Sequence, residues 1–536
     1  MKLNRIGLQD RSAWEAKGVQ LPQYDVQAVA ERTLRSPKWI HFGAGNIFRG
    51  FIARLQQELL NAGADDTGII ACDTFDFGII DRIYDPFDNL TMMVTLMPDG
   101  RLEKEIVASV ARGVRASGRF AEDMALLRAS FRNPSLQLIS FTITEKGYAL
   151  KDIRGAFLPV VQADFENGPE NCAHAMSIVT SLLLERYNAG GTPLAVVSMD
   201  NCSHNGEKLR ASVMTVVEKW LERGFVTGDF AAWVRDESMV SFPWSMIDKI
   251  TPRPAPVVEA ELDRLGIEDM RPIVTERNTF IAPFVNAEKP QYLVIEDRFP
   301  NGRPALEKAG VYFTTRDTVN DTERMKVTTC LNPLHTALAV YGCLLGYTKI
   351  ADEMADADLR ALVEGIGAVE GMPVVTDPGI IEPRAFLKEV VEERLPNPFM
   401  PDTPQRIATD TSQKVAIRFG ETIKSYIASD TLDVRSLTFI PLAIAGWLRY
   451  LLAVDDRGEK MECSPDPMLA TLQEALAGVE LGKPESVRGR LDAILKNVHL
   501  FGVDLVQAGL SERIERMTAS MLAGPGAVRK TLGEYL

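Results

Sequence analysis

At 536 residues, with 46% hydrophobic and 25% charged side chains, the chain has the length of two domains and the balance of a globular protein. A formal net charge of −14 argues against a nucleic-acid or anionic-membrane partner, because phosphates attract basic surfaces. A small anionic substrate, which needs only a few local cations, stays open.

The segment Met1–Gly18 lacks the apolar core of a signal peptide, and the longest apolar run, Leu437–Val454, is interrupted by Arg449. Six scattered cysteines form no CxxC pair, so a reduced, cytoplasmic protein is expected. In chain order, short apolar runs alternate with helical patterns through the first half, the signature of β-α-β units and a parallel sheet. Strands are predicted at Lys38–Gly43, Gly68–Asp73, Leu136–Ile143 and Pro193–Ser198, with a helix over Ile47–Leu60. From Arg324 onward helical patterns dominate: Lys326–Leu345, Asp356–Glu370, Pro383–Glu393, Asp433–Val454, Met468–Ala477, Pro484–Leu495 and Leu510–Ala523. The expected fold is α/β: a Rossmann-type doubly wound sheet domain over residues 1–285, then a mostly α-helical domain over 286–536 that carries substrate and catalysis.

The first chemical signal is the turn after the first of these strands. Gly43 and Gly45 allow a tight bend and close approach of a pyrophosphate, and the helix that follows through Asn46, Ile47, Phe48 and Arg49 offers free N–H groups and a positive dipole end. Phe48 stands where GxGxxG has its third glycine. Asp73 closes the second strand, where a carboxylate can accept hydrogen bonds from ribose hydroxyls and repel a 2′-phosphate, favouring NAD over NADP. The bland alternatives are a structural strand-to-helix turn and a surface aspartate.

The second signal is Lys326, Asn332 and His335 in a largely apolar helical stretch. A desolvated lysine can serve as general base, an amide can donate to a developing alkoxide, and an imidazole can orient a hydroxyl. Each residue alone reads equally well as ordinary helix.

These stretches, with others, resemble the long-chain mannitol dehydrogenase family. The matching segments are Phe42–Arg49, Thr142–Tyr148, Met199–Gly206, Phe242–Pro252, Val294–Asp297, the lysine helix, Asn397–Lys414 and Pro441–Tyr450 with Asp455 and Asp456. The resemblance implies a zinc-independent, NAD-dependent dehydrogenase with Lys326 as general acid/base. It makes Asn201 and Asn332 the amides that polarise the reacting oxygen, with Asn205 an alternative to Asn201. His335 would orient substrate, Asp248, Arg406 and Lys414 would bind it, and Glu145 and Glu323 match acidic positions near the lysine. The helix and the chain length are most similar to the branch that acts on hexuronates, which implies interconversion of D-mannonate and D-fructuronate. Mannitol or tagaturonate chemistry is the alternative within the family, and a nucleotide-binding protein without catalysis is the alternative outside it. Monomer and homodimer are both compatible.

One departure stands out. The family pattern separates lysine and asparagine by five residues, whereas Lys326 and Asn332 are six apart. An extra helical residue rotates a side chain by about 100° unless a π turn absorbs it. Zinc chemistry finds little support: among the five histidines (41, 174, 204, 335, 499), the Cys172/His174 and Cys202/His204 pairs lack a second ligand cluster.

Overall fold

The computed structural model describes all residues, Met1–Leu536. The chain divides into two compact units, residues 1–97 with 101–320 and residues 98–100 with 321–536.

The first unit is built on six parallel strands: β1 (Trp39–Phe42), β2 (Ile69–Asp73), β3 (Val110–Arg115), β4 (Leu138–Phe141), β5 (Leu194–Ser198) and β6 (Val240–Ser241). Their order across the sheet is β3-β2-β1-β4-β5-β6. This is the arrangement of doubly wound dinucleotide-binding sheets, in which strand order reverses beside β1 and opens a crevice at the strands' carboxyl ends. Strands β1, β4 and β5 are buried along their whole length, as a sheet covered on both faces requires. One face packs a core of Ile40, Ile70, Ile139 and Val196, and the other packs Trp39, Ala71, Leu138 and Val197. The alternation along each strand assigns neighbouring residues to opposite cores.

The expected boundary at residue 285 is corrected to Asn320/Asp321. The strands Phe284–Glu288, Tyr292–Glu296 and Tyr312–Thr314 belong to the first unit: the first pairs with Thr91–Leu96, and the second with Ser245–Asp248. Proline-rich sequence around residues 251–290 is therefore a connection within that unit.

Helices that place the candidate residues are α1 (Ala53–Asn61), α2 (Asn205–Glu222), α3 (Arg316–Met325), α4 (Asn332–Leu345), α5 (Phe439–Tyr450) and α6 (Ser511–Met521). In the second unit, α5 is buried from Ile440 to Tyr450 and packs on both α4 and α6. Its composition explains this, since a helix apolar all round must be covered all round. Gly446 permits the α4–α5 crossing: a Cβ there would lie 2.7 Å from the Tyr341 ring, whose hydroxyl donates to the Leu442 carbonyl at 2.9 Å. The helix begins at Phe439, not at Asp433, where the buried Glu370 carboxylate accepts the N–H groups of Phe439 and Ile440 at 2.8 and 2.7 Å. The helix expected over Pro484–Leu495 is broken into a short turn and Asp492–Leu495, with Gly489 at φ +69° between them. No helix is long and apolar enough to cross a membrane.

Candidate active site

The turn after β1 is shaped for close approach. Gly43 has φ +106°, and a Cβ on it would lie 2.2 Å from the Thr142 carbonyl, so only glycine fits. A Cβ on Gly45 would meet nothing within 4 Å, leaving open space beside the turn. The N–H groups of Gly45, Asn46 and Ile47 precede the first intrahelical bond, Arg49 N–H to Gly45 O at 3.1 Å, and so belong to the free donors of a helix N-terminus.

The helix itself opens as a π turn over Phe48–Ile52 before continuing as α1. In the usual fingerprint the third glycine lets the helix lie close to the sheet. Here Phe48 is buried with its ring stacked 4.2 Å from that of His41 on β1, and a Cβ on Gly50 would sit 2.8 Å from Val285 Cγ1, on a strand outside the parallel sheet.

Arg49, expected among the cofactor contacts, is redirected by the structure. Its side chain is 0% exposed, donating to the Ala282 carbonyl at 2.8 Å and to Asn46 Oδ1 at 3.0 Å, so it braces the turn from beneath. Phe48 likewise presents only backbone. Asp73 Oδ1 accepts the N–H groups of Phe75 and Asp76, both at 2.8 Å, and Oδ2 faces the Ala44 N–H at 3.4 Å. The carboxylate thus joins the end of β2 to the glycine turn and keeps acceptor capacity on Oδ2. Burial raises its pKa from the ordinary carboxylate value.

The loop after β5 separates the two asparagines. Asn205 is buried; its amide nitrogen donates to the Asp200 and Ser245 carbonyls at 3.0 and 2.9 Å, and its oxygen accepts from Ser245 N–H at 3.0 Å. Both ends of that amide are spent on holding the loop to the strand Ser245–Asp248. Asp200 completes the clamp, accepting from the Ile143 and Thr144 N–H groups at 2.9 Å and from Tyr148 Oη at 2.5 Å. Asn201 lies exposed on this braced loop. Asp248, 7% exposed, ends the same strand that anchors Asn205. Glu145 is exposed and ion-paired with Lys208.

In the second unit, Lys326 opens a π turn, Lys326–Cys330, between α3 and α4. Lys326 is 3% exposed. The Leu331 N–H bonds back to the Lys326 carbonyl at 3.1 Å, an i→i+5 closure, and Asn332 then begins α4. Pro333, at the second position of α4, lacks an N–H that the helix start could not have paired.

His335 follows on the first turn of α4, with Nε2 4.0 Å from Asp402. Burial drives its pKa down to about 4; Asp402 opposes the shift while Arg418, Arg394 and Arg406 add to it. The imidazole is neutral near pH 7. Arg406 pairs with Asp402 through a side chain that is 62% exposed, and the half-buried Lys414 ammonium donates to the Thr409 carbonyl. Arg418 is an addition that sequence reasoning missed: its Nη1 donates to Thr336 Oγ1 at 2.6 Å on the same helix as His335. Its spacing of four from Lys414 puts both on one helical face, the signal that would have found it. His, Cys, Asp and Glu side chains gather nowhere in groups of three or more suited to a metal ion.

Models of the mannitol dehydrogenase Rossmann domain and of the mannitol dehydrogenase C-terminal domain match residues 37–308 and 318–522. The chain belongs to the mannitol dehydrogenase family. Among its relatives in that family is the D-mannonate oxidoreductase of Thermotoga maritima, 54% identical over 100% of this chain and 99% of the relative. The polyol:NADP oxidoreductase of Gluconobacter oxydans is 30% identical over 86% of this chain and 88% of its own. A solved Pseudomonas fluorescens mannitol 2-dehydrogenase, in ternary complex with NAD and D-mannitol, superposes with TM-score 0.68 at 25% identity, covering 100% of this chain and 99% of that one. The two family models meet within the interval 309–317, close to the Asn320/Asp321 division of the structure.

Proposed function

We propose that this member of the mannitol dehydrogenase family interconverts D-mannonate and D-fructuronate with NAD(H), using Lys326 as general acid/base and no metal. The observation that carries the substrate assignment is the end-to-end 54% identity with an enzyme named D-mannonate oxidoreductase. The cations around His335 supply the chemistry a sugar acid needs.

The residues of the first unit fit a dinucleotide. Gly43 and Gly45 leave room for a pyrophosphate, Asn46 and Ile47 supply N–H donors, and the Asp73 carboxylate is an acceptor for ribose hydroxyls that disfavours a 2′-phosphate. A dinucleotide held there would supply or accept the hydride that the substrate carbon exchanges. Lys326 gives its proton to the oxygen of the reduced ketone, and in the reverse direction removes the hydroxyl proton. The amides of Asn201 and Asn332 stabilise charge on that oxygen, the neutral His335 orients a neighbouring hydroxyl, and Asp248 accepts from another. Substrate is held further by Arg406 and Lys414. The reading places the protein in the cytoplasm, as monomer or homodimer; its free cysteine thiols, four of them buried, suit a reducing compartment.

NADH oxidation by the purified protein with D-fructuronate, D-tagaturonate and D-fructose, in the presence and absence of EDTA, tests this reading. Preference for D-fructuronate that survives EDTA is the expected result. Preference for D-fructose would overturn the substrate assignment, and loss of activity on chelation would overturn the metal-free chemistry.

A further inference from the structure

The cations singled out by sequence are both engaged. Arg406 holds Asp402 and is largely in solvent, and the Lys414 ammonium is bound to the Thr409 carbonyl. Arg418 is different. Its side chain is half-buried, pairs with no carboxylate, and spends one of its five N–H donors on Thr336 Oγ1 at 2.6 Å. Burial alone pulls its pKa down to about 10, with no acid opposing. A cation withdrawn from water with no acid beside it is costly, and such groups persist where a ligand supplies the missing charge.

The surroundings favour an anion. Burial lowers the Lys414 pKa and Arg418 lowers it further, and the same guanidinium contributes to keeping His335 neutral. Of the nearby carboxylates, Asp402 is held by Arg406 and Asp466 by the Ser412 N–H and hydroxyl, while Asp410 acts on Lys414 and none of them on Arg418. Arg418 lies in a π turn, Ala416–Gly420, that packs on both the Lys326 turn and α4. The Thr336 hydroxyl that orients it donates onward to the Asn332 carbonyl at 3.1 Å. The guanidinium is therefore tied by two hydrogen bonds to the helix start that carries Asn332 and His335.

We infer that Arg418 binds the carboxylate of the sugar-acid substrate, forming the paired N–H contacts that a planar guanidinium makes with a carboxylate. This rests on the reading that the substrate is a hexuronate. Its carboxylate lies at the far end of the sugar from the ketone, so Arg418 sets which acid is accepted while Lys326 serves the reacting oxygen. The structure thereby assigns Arg418 to substrate selection, with Thr336 as its positioning residue.

The experiment measures NADH-linked reduction of D-fructuronate and of the uncharged D-fructose by the wild-type protein and by Arg418→Met, Arg418→Lys and Arg406→Ala. A wild-type preference for D-fructose overturns the hexuronate reading and this inference with it. Given a wild-type preference for D-fructuronate, Arg418→Met should lower the ratio of kcat/KM for D-fructuronate to that for D-fructose at least tenfold, mainly through KM. Arg418→Lys should recover part of the loss, and Arg406→Ala should shift the ratio less than Arg418→Met. An unchanged ratio in Arg418→Met, or a larger shift in Arg406→Ala, overturns the assignment while leaving the hexuronate reading intact. Should Arg418→Met fail to fold, Thr336→Val decides: it removes the acceptor that aims the guanidinium, and must lower the same ratio severalfold for the assignment to hold.

Discussion

The Lys326 carbonyl accepts the Leu331 N–H at 3.1 Å, closing the π turn that ends where Asn332 begins α4. A π turn accommodates one residue more than an α turn. The extra residue in the Lys326–Asn332 spacing is absorbed there, without rotating the rest of α4. Deleting Val327, the least buried residue of the turn, should convert it to an α turn and leave turnover within tenfold of wild type. Adding an alanine after Cys330 should rotate Asn332 by about 100° and reduce turnover at least a hundredfold. Steady-state kinetics of both variants checks this; equal losses would show that the turn does not set the spacing.

Lys326→Ala should lower kcat by roughly 10²–10⁴, the range for losing a general acid/base, while NADH affinity changes less than twofold. Stopped-flow turnover and fluorescence titration of NADH separate the two. Retained turnover would remove the lysine from the mechanism.

The two asparagines should part company. Asn205→Ala leaves the Asp200 and Ser245 groups without their partner, and should cost about 1–3 kcal/mol of stability, seen as a lower melting temperature. Asn201→Ala, on an exposed loop position, should leave melting unchanged and lower kcat roughly 10²–10³. The reverse pattern would make Asn205 the amide that faces substrate.

Asp73→Ser keeps an oxygen for the Phe75 and Asp76 N–H groups but removes the charge. The ratio of kcat/KM for NADH to that for NADPH should fall at least tenfold. A constant ratio would place cofactor discrimination elsewhere.

Glu353 is fully buried, neither carboxylate oxygen has a hydrogen-bond partner, and burial holds its pKa up to about 9. Below the ordinary value of 4.5, folded and unfolded chains are both protonated and nothing is lost. Above it the unfolded chain releases the proton while the folded one keeps it, so stability falls until pH passes the folded pKa. At neutral pH this costs roughly 3 kcal/mol. Glu353→Gln, which never ionises, should melt several degrees higher than wild type at pH 8 and converge with it near pH 4. Parallel melting curves across that range would refute the buried acid.

Much of the first unit was legible because its signals are local. Four of the six strands of the parallel sheet follow from apolar runs of strand length, and the glycine turn from the closely spaced Gly43 and Gly45, of which Gly43 must lack a side chain. The lysine helix announced itself in the same way, and its odd spacing even named the device that would resolve it. The boundary at Asn320 was not legible, since strands such as Phe284–Glu288 are claimed by partners nearly two hundred residues earlier, and pairing across such distances leaves no periodic trace.

By itself, then, the sequence determined the α/β class and the glycine turn, because each depends on residues within one turn or strand of one another, and the family, through ordered segments spread along the chain. The tertiary structure alone decided which groups are already spent and which are left over. It turned Arg49 inward onto Ala282, committed Asn205 to Ser245, gave Asp402 to Arg406, and left Arg418 half-buried without an acid. Whether a polar group is free for chemistry is set by burial and by partners brought from elsewhere in the chain, and only the folded arrangement contains that information.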